Sequence, residues 1–458
     1  MKKTIRDLVA LLPFSHTVHN AQDRLDEVID HVTIDSRTAR EGSLFVPLPG
    51  ANVDGHEFVA PSFDKGVTAS FWKKGTDGMP SNGVIIEVED PEIALQQLSK
   101  AYRDSLTLKV VAITGSNGKT TTKDMIASVL GVKAKVQKTK GNYNNHLGVP
   151  LTLLDLEEDT DISIVEMGMS ARGEIRFLTK LARPDFAVVT NIGESHMQEL
   201  GSRHGISEAK LEIAEGLDTS GTLFLCGDEP LLTRHMDDPR EYAVKTFGRK
   251  TENDLHSSAE EMTTTGTSFQ VNGYESRFHM PVLGQHNVSN ALAAISIAKE
   301  LGYEESEIQG GLAAIELTPM RMQLVNGKRG VTILNDAYNA SATSMKAAIE
   351  FLAAFPLEDG RKIVVLADAL ELGDQEKELH LDVGRSIPMD EVDVVVTFGE
   401  LGGWIAKGAA EQAAERVHHF EDKKAAQAFL EETVTAGDFL LIKGSRGMKV
   451  EETIQFLL

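Results

Sequence analysis

Apolar runs of strand length alternate with stretches of helical periodicity over most of the chain, and the alternation changes character twice. Ile5, Leu8, Val9 and Leu12 fall on one helical face at the start. Up to about residue 105 short strands then mix with loops, among them Thr33-Ile-Asp-Ser-Arg37, Glu41-Gly-Ser-Leu-Phe-Val46 and Asp54-Gly-His-Glu-Phe58. From about 106 to 317 strand runs alternate with helical segments: Val110 to Ile113, Ile162 to Gly168 and Phe186 to Asn191 are the strands, and Thr120 to Leu130 is the first helix. That pattern predicts a parallel sheet covered by helices. After Pro319 a smaller alternating unit follows, with strands near Val331 to Leu334, Ile363 to Leu366, Val392 to Thr397 and Phe439 to Ile442. The expected fold class is α/β in three domains: a mixed α/β domain over 1–105, a P-loop-type parallel-sheet domain over 106–317, and a Rossmann-like doubly wound domain over 318–458.

The first central strand breaks at Gly115 into Gly115-Ser116-Asn117-Gly118-Lys119-Thr120, with a helix directly behind it. Glycines let backbone N–H groups turn toward an anion, the helix N-terminus adds positive potential, Lys119 can reach terminal phosphates, and the Thr120 hydroxyl can ligate Mg²⁺. The general phosphate-loop pattern requires glycine where this chain has Ile113, so the loop is a shortened variant, and a chance glycine turn is the competing explanation. Ligands of parallel sheets gather beyond the carboxyl ends of strands, which puts the loop, Glu166 and His196 on one rim. Glu166 ends an apolar strand, where a carboxylate is costly unless hydrated, paired or bound to metal, and it is a candidate Mg²⁺ ligand. His196 alone is equally a hydrogen-bonded loop residue. Lys210, in Ser207-Glu-Ala-Lys210, reads as the first turn of a helix capped by Ser207, where the helix dipole disfavours a cation. Asn287 and Asn290 are three apart at the start of an apolar helix to Leu301 and could offer amides to a base edge. Ser36 and Arg37 are turn residues able to hold a diphosphate, although Arg37 is equally a surface ion-pair partner.

Charge narrows the ligand class. A net charge of −23 excludes a general binder of nucleic acid or anionic membrane. Against that background, Thr107 to Pro150 holds seven lysines and one acid, Asp124, which suits a polyanion bound in one place or a solvated lysine-rich surface. The single cysteine, Cys226, can form no internal disulfide, so a buried inert thiol in a reducing compartment is expected. Leu8 to Phe14 is apolar but no small-residue cleavage site follows, and no run approaches membrane-span length. A cytoplasmic monomer without stable membrane insertion is the expectation.

With these residues together, the chain resembles the Mur ligase family along essentially its whole length. Thr114-Gly-Ser-Asn-Gly-Lys-Thr-Thr-Thr122 is similar to the family's phosphate loop, and Lys140-Gly-Asn-Tyr-Asn-Asn-His-Leu-Gly-Val-Pro150 to its D-alanyl-D-alanine-adding branch. The resemblance implies an ATP- and Mg²⁺-dependent ligase that joins D-Ala-D-Ala to UDP-N-acetylmuramoyl-tripeptide through an acyl phosphate. It implies that Ser36 and Arg37 touch the UDP-muramoyl substrate, that Gly115, Ser116, Asn117, Gly118, Lys119, Thr120 and Thr121 hold phosphate, and that Asn142, Asn144 and Asn145 serve substrate binding. Thr120 and Glu166 would bind one metal; His196 and a carbamylated Lys210, its amine modified by CO₂, would bind a second. Asn287 and Asn290 would lie by adenine, Arg321 at phosphate, Asp336 at ribose, Tyr338 and Asn339 near the nucleotide, and Lys443, Ser445 and Arg446 near the dipeptide or the closure interface. The chain departs from the family pattern at Ala209-Lys-Leu-Glu212, at Met320-Arg-Met322, which lacks a glycine before the arginine, and at Tyr338-Asn-Ala-Ser-Ala342 and Ala367-Asp-Ala369. A tripeptide-forming or folyl-polyglutamate-type ligase, or a binding protein that kept the loop and lost ligation, are the alternatives.

Overall fold

In the computed structural model, which describes residues 1–50, 53–234, 239–263, 265–370 and 372–458, three main sheets follow one another along the chain. Each lies within one of the segments 1–105, 106–317 and 318–458. The first has the spatial order Thr17–His19, Val84–Val88, Ala69–Lys73, Ser43–Phe45, His31–Thr33, parallel except at the first strand. Its last helix, Pro91–Asp104, is capped by Asp90, whose side chain accepts from the Glu92 and Ile93 amides, with Pro91 in the first turn. That helix docks on the central segment: Tyr102 Oη donates to the Leu156 carbonyl at 2.8 Å and Arg103 Nε to Ala182 at 2.9 Å. One continuous apolar core therefore joins the first two segments.

The central sheet runs Val136–Lys138, Ile162–Glu166, Lys109–Thr114, Phe186–Val189, Thr222–Cys226, Ala243–Gly248 and Leu255–Thr263, all parallel, and ends in two antiparallel strands, Gly266–Val271 and Phe278–Met280. The parallel part follows the expectation; the antiparallel extension was not anticipated, because its strands are short and half-polar. Lys109–Thr114 sits between Ile162–Glu166 and Phe186–Val189, where the connections turn to opposite sides, so the loop that follows it opens at the topological switch point. Buried Val110, Val111, Ala112 and Ile113 make this strand one of the best-shielded in the chain.

The third sheet orders Gln323–Asn326, Thr332–Asn335, Phe439–Lys443, Lys362–Ala367, Val394–Phe398 and Val417–Phe420, with only the first antiparallel. Separate apolar clusters cover its two faces, as a doubly wound sheet requires. The predicted strands are present with ends shifted by one or two residues, while Gln323–Asn326 and Val417–Phe420 were not foreseen.

Candidate functional site

A cleft of about 870 Å³ lies where the carboxyl ends of the central and third sheets face one another. Gly115, Ser116, Asn117, Gly118, Lys119, Thr120, Thr121, Asn142, Asn144, Asn145, Glu166, His196, Lys210, Asn287, Asn290, Arg321, Asp336, Tyr338, Asn339, Lys443, Ser445 and Arg446 all line it. Ser36 and Arg37 do not. Arg37 is exposed and paired with Asp35, whose carboxyl it holds down to about 2, and the Ser36 carbonyl accepts from Lys65 Nζ at 3.0 Å.

The loop is built to present its backbone. Gly115 has φ +155° and Gly118 φ +79°, and a Cβ at Gly115 would stand 1.8 Å from Thr190 Oγ1. Thr190 and Asn191, just past the end of the adjacent strand, brace it: Asn191 Oδ1 accepts from the Asn117 amide at 2.8 Å, and Thr190 Oγ1 donates to the Asn117 carbonyl at 2.6 Å. Lys119, at the start of the helix Lys119–Leu130, folds its ammonium onto the Gly115 carbonyl at 2.7 Å. Burial, and then Arg321 across the cleft, lower its pKa while Glu166 opposes them, so an anionic ligand is what this ammonium is placed to gain.

Glu166 is 3 % exposed at the end of its strand and fully engaged. Its Oε2 accepts from Thr120 Oγ1 at 2.8 Å, its Oε1 from Asn144 Nδ2 at 2.9 Å, and Lys123 Nζ lies 3.8 Å away. The hydroxyl and carboxylate are thus adjacent oxygen donors beside a phosphate cradle, the donor set Mg²⁺ accepts when phosphates and water complete its shell. Among the described residues no group of three or more His, Cys, Asp or Glu side chains could hold a metal alone.

His196 and Lys210 meet on the opposite wall. His196 adopts φ 65°, and burial, then the charges of Lys210 and Lys119, lower its pKa to about 4. Its imidazole is therefore neutral near pH 7, the form that ligates a metal. Lys210 is 2 % exposed, and burial followed by the Lys119 charge pulls its pKa well below the ordinary lysine range. The helix carrying it runs Arg203–Leu211 and is capped by Ser202, which accepts from the Gly205 amide at 3.1 Å. Lys210 consequently sits in the last turn, not the first, and the expectation of a Ser207 cap is wrong. Ser207 is inside the helix and donates to the Leu231 carbonyl at 3.0 Å. A helix C-terminus tolerates a cation, so what is unusual about Lys210 is its burial.

Two other expectations change. The Asn287 and Asn290 amides are turned inward: Asn290 Nδ2 donates to Asn287 Oδ1 at 2.9 Å, Asn287 Nδ2 to the Leu283 carbonyl at 2.6 Å, and Asn290 Oδ1 accepts from Thr122 Oγ1 at 3.1 Å. They prop the phosphate-loop helix from below. The lysine-rich stretch is largely neutralised by pairing, with Lys109 on Asp185, Lys133 on Glu307, Lys135 on Glu157 and Asp159, Lys138 on Asp124 and Lys140 on Asp155.

From the third sheet, Asp336 follows the strand Thr332–Asn335; its Oδ1 accepts from the Met322 amide at 3.0 Å and its Oδ2 pairs with Lys443, which also donates to the Asn339 carbonyl at 3.1 Å. The Arg321 guanidinium lies 4.0 Å over the Tyr338 ring, and its buried Nε has no hydrogen-bond partner among the described residues. Met320 at φ 63° and Met322 at φ 47° flank it, so the residue standing before the arginine in place of glycine adopts a glycine-like conformation. Ser445 Oγ accepts from the Leu370 amide at 2.9 Å, and Arg446 is held by Glu451 at 2.7 Å. Ser341, which the sequence did not single out, caps the helix Ala342–Ala354 and contacts Asn117 Oδ1 at 3.2 Å, joining the third segment to the phosphate loop. Its signal is a serine immediately before an apolar helical run.

The comparisons agree with this geometry. Family models described as the Mur ligase family catalytic domain, the Mur ligase middle domain and the Mur ligase glutamate ligase domain match residues 28–103, 113–298 and 320–446. The UDP-N-acetylmuramoyl-tripeptide–D-alanyl-D-alanine ligase of Bacillus subtilis is 46% identical over 460 residues, spanning 100% of this chain and 99% of that protein. A crystal structure of MurF from Acinetobacter baumannii superposes with a TM-score of 0.88 at 30% identity, covering 99% of this chain and 98% of that one. MurF ligase from Thermotoga maritima, solved in complex with ADP, gives 0.81 at 28% identity, covering 93% and 96%.

Proposed function

The chain belongs to the Mur ligase family, and on that premise we propose that it joins D-alanyl-D-alanine to UDP-N-acetylmuramoyl-tripeptide with conversion of ATP to ADP and phosphate. The observation that carries this reading is the convergence in one cleft of Lys119, the Thr120–Glu166 pair, His196 with Lys210, and Arg321 with Asp336 from the facing segment. A carboxylate is a poor electrophile. Its oxygen attacks the γ-phosphorus of ATP, the bond to ADP breaks, and the resulting acyl phosphate is opened by the dipeptide amine, which loses a proton as phosphate leaves. Lys119 and Arg321 face each other across the site, where they offset charge on the transferring phosphoryl group.

Mg²⁺ bound at Thr120 and Glu166 would supply Lewis-acid neutralisation of the phosphates. For a second ion, His196 beside an ammonium is an unsuitable donor set. Carbamylation of Lys210 would remove the conflict: the neutral amine that burial favours forms an N–C bond to CO₂ and gives up a proton to solvent, leaving an anionic carbamate whose oxygens can ligate a cation. Domain limits near residues 105 and 317, substrate contacts at Asn142, Asn144 and Asn145, and a cytoplasmic location belong to the same proposal. Among the described residues no helix is long and apolar enough to cross a membrane.

The test is phosphate release from ATP with UDP-N-acetylmuramoyl-tripeptide and a panel of amines. Release dependent on D-Ala-D-Ala is expected; release supported equally by glutamate or by a single diamino acid on the dipeptide precursor would replace this reading with another ligase of the superfamily. Carbamylation is checked by native mass measurement in bicarbonate, where a CO₂ adduct on wild type and none on Lys210→Ala is expected.

A further inference from the structure

Asp124 is the one acid in the lysine-rich stretch, and its side chain is completely buried. It lies on the phosphate-loop helix one turn beyond Thr120. One oxygen accepts from Lys138 Nζ at 2.7 Å, with Lys123 Nζ at 3.9 Å; the other accepts from both the amide and the hydroxyl of Thr318, at 2.8 and 2.7 Å. Thr318 begins the passage from the central to the third segment. Pro319 behind it restricts its backbone, and Arg321 follows three residues later.

The passage is pinned at both ends. On either side of Arg321, the Met320 amide donates to Gln323 Oε1 at 3.0 Å, the Met320 carbonyl accepts from the Tyr338 amide at 3.2 Å, and the Met322 amide donates to Asp336 at 3.0 Å. Met320 and Met322 hold left-handed conformations that bulky residues adopt only when their surroundings over-determine them. Hydrogen bonds to a buried charge are the strong kind, and releasing Thr318 would leave that carboxylate short of donors in a dry site. The connection is therefore a fixed pivot at Thr318, where a freely bending linker would have no such hold.

We propose that Asp124 is a positioning residue for phosphoryl transfer: by clamping Thr318 to the phosphate-loop helix, it sets where Arg321 stands relative to Lys119 and Thr120. Nucleotide is gripped by the loop, and the arginine arrives from the other segment, so the two halves share one reference point. This rests on the placement of Arg321 at phosphate given above.

The experiment compares D124N, T318V, T318S, K138M and R321A in the full-length enzyme, reading kcat, the ADP dissociation constant and Tm, with D124N also made in the R321A background. D124N and T318V are expected to lower kcat about tenfold or more while ADP binding stays within about twofold, and T318S to restore kcat. K138M should lower Tm and leave kcat unchanged, since it removes the other oxygen's partner. In the R321A background D124N should cost nothing further. Wild-type kcat in D124N beside an impaired R321A overturns this proposal alone, as does an equal loss in both backgrounds or a loss matched by weaker ADP binding. Full kcat in R321A overturns the reading beneath it. Should D124N not fold, T318V decides, and an unaltered kcat there ends the proposal.

Discussion

Thr120 and Glu166 are hydrogen-bonded at 2.8 Å between a helix N-terminus and a strand end, so two cation-binding oxygens are set side by side before any cation is bound. Asn144 holds the second carboxylate oxygen at 2.9 Å, which leaves Glu166 no freedom to swing away. Glu166→Gln preserves the shape and can keep both contacts, its oxygen accepting from Asn144 and its NH₂ donating to the Thr120 hydroxyl, but it loses the negative charge and one of the two cation-binding oxygens. Its Mg²⁺ concentration for half-maximal turnover should rise by about tenfold or more, with kcat reduced and the fold intact by circular dichroism. An unchanged magnesium titration would remove Glu166 from the metal site.

Gly118 is the loop glycine whose replacement would reach the residues that prop the following helix. Its φ is +79°, and an added Cβ would lie 2.7 Å from Asn290 Oδ1, an amide already shared with Thr122 and Asn287. Gly118→Ala should destabilise the protein by about 1–2 kcal/mol from the left-handed backbone alone. Displacing Asn290 should also unsettle the helix it props, so ADP affinity falls with Tm. Calorimetric titration and thermal melting read both.

The loop, the three-sheet order and the strand-end acids were legible because each depends on local chemistry: glycine for positive φ, alternation for burial, a carboxylate closing an apolar run. What escaped depends on partners distant in the chain. Ser207 was expected as the cap, but Ser202 fills that place, and Ser207 lies inside the helix, where it finds the Leu231 carbonyl 24 residues away. Asn287 and Asn290 share a face as expected, but that face meets Thr122 from a strand–helix unit 168 residues earlier. Asp124 stood out only as the lone acid among lysines, and its tie to Thr318, 194 residues further on, carried no local signal.

Cys226 ends the strand Thr222–Cys226 as a buried thiol, and burial pushes its pKa up to about 11. The folded protein therefore keeps a proton that the unfolded chain, with a thiol near about 8.5, releases. The resulting stabilisation is complete below the unfolded value and is lost as pH rises toward 11, in total on the order of 3 kcal/mol. Denaturant titrations of wild type and Cys226→Ala between neutral and alkaline pH should differ in slope only above about pH 8.5. Native protein should resist a thiol reagent at neutral pH and react once unfolded.

Tyr338 supplies the surface on which Arg321 rests, with the guanidinium carbon 4.0 Å from the ring centroid. A carboxylate in that place would consume the N–H donors; an aromatic face holds the cation and leaves them for an oxyanion. The hold matters more here because the flanking Met320 and Met322 are in strained backbone and cannot orient the side chain by ordinary strand geometry. Tyr338→Leu should lower kcat roughly 3- to 10-fold, the equivalent of a cation–π contact of about 0.5–1.5 kcal/mol. Tyr338→Phe keeps the ring and should retain most of the rate. If Phe and Leu are equally impaired, the hydroxyl and not the ring is what the reaction needs, and the stacking on Arg321 is incidental to it.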